Sequence, residues 1–225
     1  MNTSRLASVR DWVFDLDNTL YSAESTLYEA IGVRMTAYIA RAVGLDLVAA
    51  EALQERYFLE YGATVVGLAR HHAIDAADFL ADVHDVDSSV IVPDPDLRAL
   101  IAALPGRKFV FTNGGGGHAE RMIARLELAG VFDDVVDIEA VALEPKPQHG
   151  AYQRLIDRCQ IEPARTALVE DTLRNLIPAA ELGFLTVLVG AVHPEPPPPY
   201  VHHVAHDLKD FLRDALRVDH GGAAA

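Results

Sequence analysis

The sequence predicts an α/β protein, a parallel sheet with helices on both faces, into which one all-helical segment is inserted. Three observations predict it. From residue 92 onward, short apolar runs alternate with stretches of helical spacing, the pattern of parallel strands joined by crossover helices. Between an early apolar run and that alternating part lie residues 22–91, which carry almost no strand signal. Polar side chains also stand where the apolar runs finish: RDWVFDLD ends on Asp15 and Asp17, RKFVFTNG on Thr112 and Asn113, and TALVED on Glu170 and Asp171. In an open parallel sheet those ends share one edge, the edge at which ligands bind.

Taken in order, residues 9–17 read as a buried strand and its end. TLYEAIGVRMTAYIARAV, LVAAEALQERYFLEYG, TVVGLARHH and DAADFLADV then show helical spacing. VPDPD at 92–96 is a turn. LRALIAAL follows as helix, RKFVFTNG as strand, HAERMIARLELAG as helix and FDDVVDIEA as a short strand. HGAYQRLIDRC is helix, TALVED strand, LRNLIPAAELG helix and LTVLVG strand. HPEPPPPY is stiff and extended along the surface, and a last helix, DLKDFLRDAL, docks on the core. The architecture is therefore Rossmann-like: an α/β core over 1–21 and 92–217, an inserted helical cap over 22–91, and a flexible tail over 218–225.

Composition narrows the function. The 225 residues suit one medium domain, half of them hydrophobic. No apolar run is long enough for a membrane helix, and MNTSRLASVR lacks the apolar core of a secretory leader. A single cysteine, Cys159, cannot form an internal disulfide, which points to the cytoplasm and a buried, inert thiol. The net charge of −14 argues against nucleic-acid polymers and anionic membranes. It leaves a small anionic substrate possible where a local cation meets it. Lysine is scarce (Lys108, Lys146 and Lys209), so the position of each is informative. The oligomeric state is left open.

The strand ends suggest chemistry. In extended backbone Asp15 and Asp17 face one side, roughly 6 to 7 Å apart, and Asp171 adds a third carboxylate. Three carboxylates in one crevice repel unless a cation sits among them. Hard oxygen ligands with room for water and a phosphate suit Mg²⁺. Lys146, in LEPKPQHG, is placed to lean in from the other side. GGGG at 114–117 is not followed by GK[ST], so it reads as a lead-in to a helix whose first amides face a phosphoryl group. His202, His203 and His206 have no acid or thiol spaced to complete a metal site and read as a solvated strand edge.

In order and spacing, DLDNT (15–19), FTNG (111–114), Lys146 in EPKP and VEDTLRN (169–175) resemble the four motifs of the haloacid dehalogenase-like superfamily. The resemblance covers nearly the whole chain, including a helical cap after the first motif. It implies a phosphomonoester hydrolase working through an aspartyl-phosphate. Asp15 would be the nucleophile, and Asp17 would protonate the leaving oxygen and then deprotonate the attacking water. Thr112, Asn113, Gly114 and Lys146 would hold the phosphoryl oxygens, Lys146 also neutralising charge on the nucleophile. Asp15, the backbone carbonyl of Asp17, and Asp171 would hold Mg²⁺, with Glu170 a direct or water-mediated helper. Asn18 and Thr19 would brace the Asp15–Asp17 loop.

The resemblance also narrows the branch. Haloacid dehalogenases lack the second aspartate, and phosphonate-cleaving relatives need a cap lysine, which 22–91 does not contain. The text DLDNTLY, with YG and GL at 61–68, FLADVHDVD and PDPDLRALI, looks most like the pyrimidine 5′-nucleotidase subgroup, implying a nucleoside 5′-monophosphate substrate. A sugar-phosphate phosphatase or phosphomutase on the same scaffold is the alternative, and a regulatory protein that kept the fold without the chemistry is a third reading. In the cap, Arg34, Arg41, Arg56, Arg70, Tyr28, Tyr57 and Tyr61 read individually as solvated face or cap core.

Overall fold

Strand β1 (Asp11–Phe14) is buried at every position and sits in the middle of the sheet. In this computed structural model the described residues are 3–22, 26–190 and 193–221. The other strands are β2 (Arg107–Phe111), β3 (Asp134–Val136), β4 (Thr166–Glu170), β5 (Leu185–Val189) and β6 (His203–Ala205). They run in the order β3-β2-β1-β4-β5-β6 with every pairing parallel, as predicted. The chain leaves β1 toward β2 and β3 on one side, then crosses to β4, β5 and β6 on the other. That reversal opens a crevice at the carboxyl end of β1.

Alternation along β1 feeds both faces. Trp12 and Phe14 join one core with Ile101, Met122 and Leu212, while Val13 joins the other with Phe109, Leu155 and Leu176. The first core is closed by helices α6 (Pro95–Ala103), α7 (His118–Arg125) and α10 (Leu208–Gly221), the second by α8 (His149–Cys159) and α9 (Leu173–Glu181).

Between β1 and α6 stand four helices: α2 (Leu27–Val43), α3 (Leu47–Tyr61), α4 (Thr64–His72) and α5 (Ala76–Val83). Caps fix their ends. Asp46 and Asp75 accept from the backbone N–H of Ala49 and Asp78, and Gly44 and Gly62 end α2 and α3 in the left-handed conformation. These helices bury a core of their own, including Ile39, Leu53, Tyr57, Leu68, Phe79 and Val83, into which Ile138 projects from the sheet domain.

The glycine run is one place where the two parts touch. A Cβ at Gly115 would lie 2.8 Å from Ile138 Cγ2 and 2.9 Å from Leu80 Cδ1. Its amides are also engaged, Gly114 N–H with Thr112 Oγ1 at 3.0 Å and Gly116 N–H with Glu139 Oε2 at 2.7 Å. The run does lead into α7 as expected, with Gly117 at its N-cap, but the Gly114 and Gly116 amides bond within the protein, and packing against α5 leaves little room for a side chain at Gly115. Gly115→Leu is expected to destabilise the protein by about 1–3 kcal/mol through overpacking. Urea denaturation checks this, and an unchanged midpoint would show the contact to be loose.

Two short elements carry too little pattern to read from sequence: α1 (Thr3–Leu6) and β6. β6 is an edge strand, but the histidines in and beside it are not uniformly solvated. His203 is buried near the Phe211 ring, His202 engages Thr186, and His206 is exposed beside His193. Residues 193–200 form no helix or strand. Helix α10 runs to Gly221, and the rest of the expected tail, 222–225, lies outside the described residues. Cys159 is buried, and burial pushes its thiol up to about 11, which keeps it protonated and unreactive. Among the described residues no helix is long and apolar enough to cross a membrane.

Candidate active site

The carboxyl ends of β1, β2 and β4 bring the predicted groups together. Asp15 continues the ladder from β1, its N–H donating to Val169 O at 2.9 Å. Lys146 reaches in from the loop before α8. Its Nζ donates to Asp15 Oδ1 at 2.7 Å, Glu170 Oε2 at 2.7 Å and Phe111 O at 2.8 Å. All three ammonium donors are therefore used, as a lysine only 1% exposed requires. Thr19 Oγ1 donates to Asp15 Oδ2 at 3.2 Å, the bracing role expected of it, so both oxygens of Asp15 are held.

Asp17 faces another set of partners. Tyr21 Oη donates to its Oδ1, His118 Nε2 lies 2.7 Å from that same oxygen, and Thr112 Oγ1 lies 3.4 Å from Oδ2. Asn113 has its side chain engaged on the lysine loop: its Oδ1 accepts from Lys146 N–H at 2.9 Å, and its Nδ2 donates to Lys146 O at 3.0 Å. Only its backbone is left to face a ligand.

Opposing charges decide the electrostatics. Burial first, and then Glu170, pushes the Asp15 carboxyl up to about 7, Lys146 opposing. Burial also pushes Glu170 up to about 7, Lys146 opposing and Asp171 adding to the rise. Burial and the Asp15 charge likewise raise Asp171. Burial disfavours the charged Lys146, yet Asp15 and Glu170 outweigh it and hold its pKa above the ordinary lysine range. Asp17 goes the other way. Burial would raise it, but hydrogen bonds from His118 and Tyr21 hold it below the usual carboxylate value.

One lysine against three crowded carboxylates leaves excess negative charge, so a cation fits. Oxygens of Asp15, Glu170 and Asp171 lie within 4.8 Å of one another. Two further buried oxygens beside the same cavity, Asn18 Oδ1 and Asn175 Oδ1, have no hydrogen-bond partner. An all-oxygen set of this kind suits a hard divalent cation. The side chain of Asp17 lines the same cavity but stands outside the cluster: the third carboxylate beside Asp15 and Asp171 is Glu170, not the Asp17 that the spacing suggested, because Tyr21 and His118 hold the Asp17 carboxylate on their side.

Above this floor lies a cavity of about 540 Å³, walled on the helical side by Tyr28, Ile31, Met35, Gln54, Phe58 and Phe79. The end of α3 docks on the core through its last carbonyls. Arg174 donates to Phe58 O at 3.3 Å, Gln148 to Tyr61 O at 2.8 Å and Asn113 to Gly62 O at 3.5 Å. Gly62 adopts φ +88° at this junction, where a Cβ would lie 2.7 Å from Lys146 O. The Arg174 guanidinium also stacks 3.9 Å over Phe58.

The arginines of α2, α3 and α4 pair locally rather than face the cavity. Arg34 and Arg41 pair with Asp82, and Arg56 and Arg70 lie over Tyr57 and Tyr61. Tyr57 is buried in the helical core, Tyr61 bonds Glu60 and His71, and Tyr28 is the one of the three that lines the cavity. Sequence reasoning missed Tyr21, His118, Arg174 and Asn175 as members of the site. The order DxDNTLY did place Tyr21 four residues after Asp17, but nothing local tied His118 to it.

The profile of the haloacid dehalogenase-like hydrolase family matches residues 12–183. Phosphate metabolism protein 8 of Saccharomyces cerevisiae is 32% identical over 134 residues, 54% of this chain and 41% of that protein, so the match spans about two fifths of the relative's length. The HAD phosphatase of Thermococcus onnurineus superposes with a TM-score of 0.64 at 16% identity, covering 92% of this chain and 97% of that one. L-2-haloacid dehalogenase of Xanthobacter autotrophicus gives 0.60 at 17%, covering 91% and 97%. At these identities the two structures establish the fold. With the family profile matched across most of its length, the chain belongs to the haloacid dehalogenase-like hydrolases.

Proposed function

We propose that this hydrolase is a Mg²⁺-dependent phosphomonoesterase that works through an aspartyl-phosphate on Asp15, with a pyrimidine nucleoside 5′-monophosphate as its substrate. The observation that carries the reading is the division of labour between two aspartates. Asp15 sits among Lys146 and the acidic cluster, while Asp17 stands apart, held by Tyr21 and His118. One is arranged to meet phosphorus and the other to handle protons. The match to phosphate metabolism protein 8 supports phosphate chemistry, and the cavity of about 540 Å³, whose helical wall combines the rings of Tyr28, Phe58 and Phe79 with the polar Glu51, Gln54 and Glu55, suits a nucleoside joined to a phosphate.

Lys146 and Thr19 fix the orientation of the Asp15 carboxylate. An oxygen of Asp15 attacks phosphorus as the ester bond breaks, and Asp17 gives its proton to the departing oxygen. Water then attacks the phosphoryl group, Asp17 takes the proton back, and Asp15 is released. A dianionic ester arriving beside Asp17 raises its pKa toward that of a proton donor. Mg²⁺ held by Asp15, Asp171, Glu170 and the Asp17 carbonyl would supply further charge neutralisation at the phosphoryl oxygens. Helices α2–α5 act as a cap, closing the cavity against water.

Phosphate release from UMP and CMP, from hexose phosphates and from a bisphosphate-primed isomerisation assay, each with and without EDTA, tests the reading. Turnover of the pyrimidine nucleotides that EDTA abolishes is expected. Release from hexose phosphates alone would move the substrate to the sugar class, and isomerisation without net phosphate release would indicate a mutase.

Metal binding has its own readout. In the metal-free protein Asp15 and Glu170 hold their protons more tightly when folded than when unfolded. Their contribution to stability is therefore full at acid pH and lost as pH rises through about 7. A cation binds the ionised carboxylates and reverses that loss. Mg²⁺ at about 100 times its dissociation constant should raise Tm by roughly 5–10 °C at pH 8, and by less at pH 5.5. Asp171→Asn should shrink the rise. Equal shifts in both proteins would remove Asp171 from the site.

A further inference from the structure

We propose that His118 and Tyr21 are positioning residues for proton transfer: together they pin Oδ1 of Asp17 inside the protein and leave Oδ2 as the oxygen that meets the substrate. The proposal rests on the phosphomonoesterase reading and adds to it the identity of the working oxygen.

Geometry separates the two oxygens. Tyr21 Oη and His118 Nε2 both address Oδ1, whereas Oδ2 receives one long hydrogen bond, from Thr112 Oγ1 at 3.4 Å. Asp17 and Thr112 line the cavity; His118 and Tyr21 do not. The pinned oxygen therefore points away from the reacting space and the other toward it. Oδ1, already accepting two donors, has no room to carry the proton.

His118 is itself immobilised. It is 1% exposed, and its ring stacks on His84 with centroids 4.3 Å apart and planes 19° from parallel. His84 Nδ1–H donates to Leu80 O at 2.9 Å, and Arg121 reaches the His84 carbonyl at 3.5 Å. The imidazole cannot turn without leaving that stack. Since an ionised carboxylate only accepts, the His118 Nε2 must carry the hydrogen.

The residue types suit the task. The carboxylate torsion of aspartate is broad and two-fold, so an unpinned Asp17 would present either oxygen. Tyr21 and His118 both donate to Oδ1, so the lone pairs of Oδ2 are the ones left to face the substrate. In the first step the proton leaves Oδ2 for the ester oxygen as the Asp15–phosphorus bond forms and the ester bond breaks. In the second, a proton of the attacking water goes to Oδ2 as the Asp15–phosphorus bond breaks.

The test is kcat/KM, which reports the step in which the leaving group departs, across monoesters from p-nitrophenyl phosphate to a simple alkyl phosphate. Tyr21→Phe keeps the ring and loses the donor. His118→Phe keeps a ring against His84 and loses the donor, and His118→Gln restores an N–H. Both phenylalanine variants are expected to lower kcat/KM for the alkyl ester roughly 10- to 100-fold and for p-nitrophenyl phosphate less than about threefold, because only the poor leaving group needs the proton. His118→Gln should recover most of the loss. A uniform fall across the series, or none, would overturn the proposal and leave the two residues as packing. Tyr21→Phe preserves volume and carries the test if His118→Phe does not fold. A wild-type chain inert on every ester would instead overturn the phosphomonoesterase reading itself.

Discussion

Replacing Asp15 with asparagine is expected to lower phosphate release by roughly 10⁴-fold or more, the scale on which loss of a covalent nucleophile is felt. The amide keeps the shape of the carboxylate but cannot form the phosphoryl ester. The fold should survive. Lys146 retains Glu170 at 2.7 Å and Phe111 O at 2.8 Å, and one negative charge is removed from an overcrowded cluster. Steady-state release with Mg²⁺, beside a thermal melt, measures both halves. An Asp15→Asn protein that turns over like the wild type would show that the nucleophile lies elsewhere.

Lys146→Met should have the largest effect on stability. The lysine stem is already buried, so methionine adds little apolar burial, while the lost ammonium leaves Asp15 and Glu170 facing each other without a counter-charge. Breaking a buried ion pair by removing one partner costs about 3–5 kcal/mol. The cost must depend on pH. Both carboxyls are pushed up to about 7 even with Lys146 present, so at pH 5 they take protons and the uncompensated charge disappears. Urea unfolding of the metal-free proteins should give a large deficit at pH 8 and a much smaller one at pH 5. Equal stability at pH 8 would mean that the lysine does not balance the cluster.

Where burial is uniform, sequence and structure agree. Strands such as DWVF and TALVE are buried on both faces and announce themselves as apolar runs, and the acids just beyond them fall at the sheet edge because every strand is parallel. The four clustered motifs were legible for the same reason. Less legible was whatever depends on contact across distance. β6 is three residues long and exists through its pairing with β5. The GGGG run reads only as a lead-in to a helix until Leu80 and Ile138 are placed against it. His118 lies 101 residues from Asp17, and no spacing rule connects an imidazole at the start of one helix with an acid after another strand. Asn113 shows the converse. Its motif was plain, but its side chain went to the lysine loop and to Gly62 rather than to the cavity floor.

Covalent chemistry at β1 is most directly tested with Asp17→Asn and p-nitrophenyl phosphate. That leaving group departs without an acid, so the first step still runs, while the second, which needs a base, stalls. After an acid quench, the peptide containing Asp15 should carry a phosphoryl group by mass spectrometry, absent from the Asp15→Asn, Asp17→Asn double variant. A phosphoryl group on another residue, or continued turnover by Asp17→Asn with Asp15 unmodified, would contradict the account.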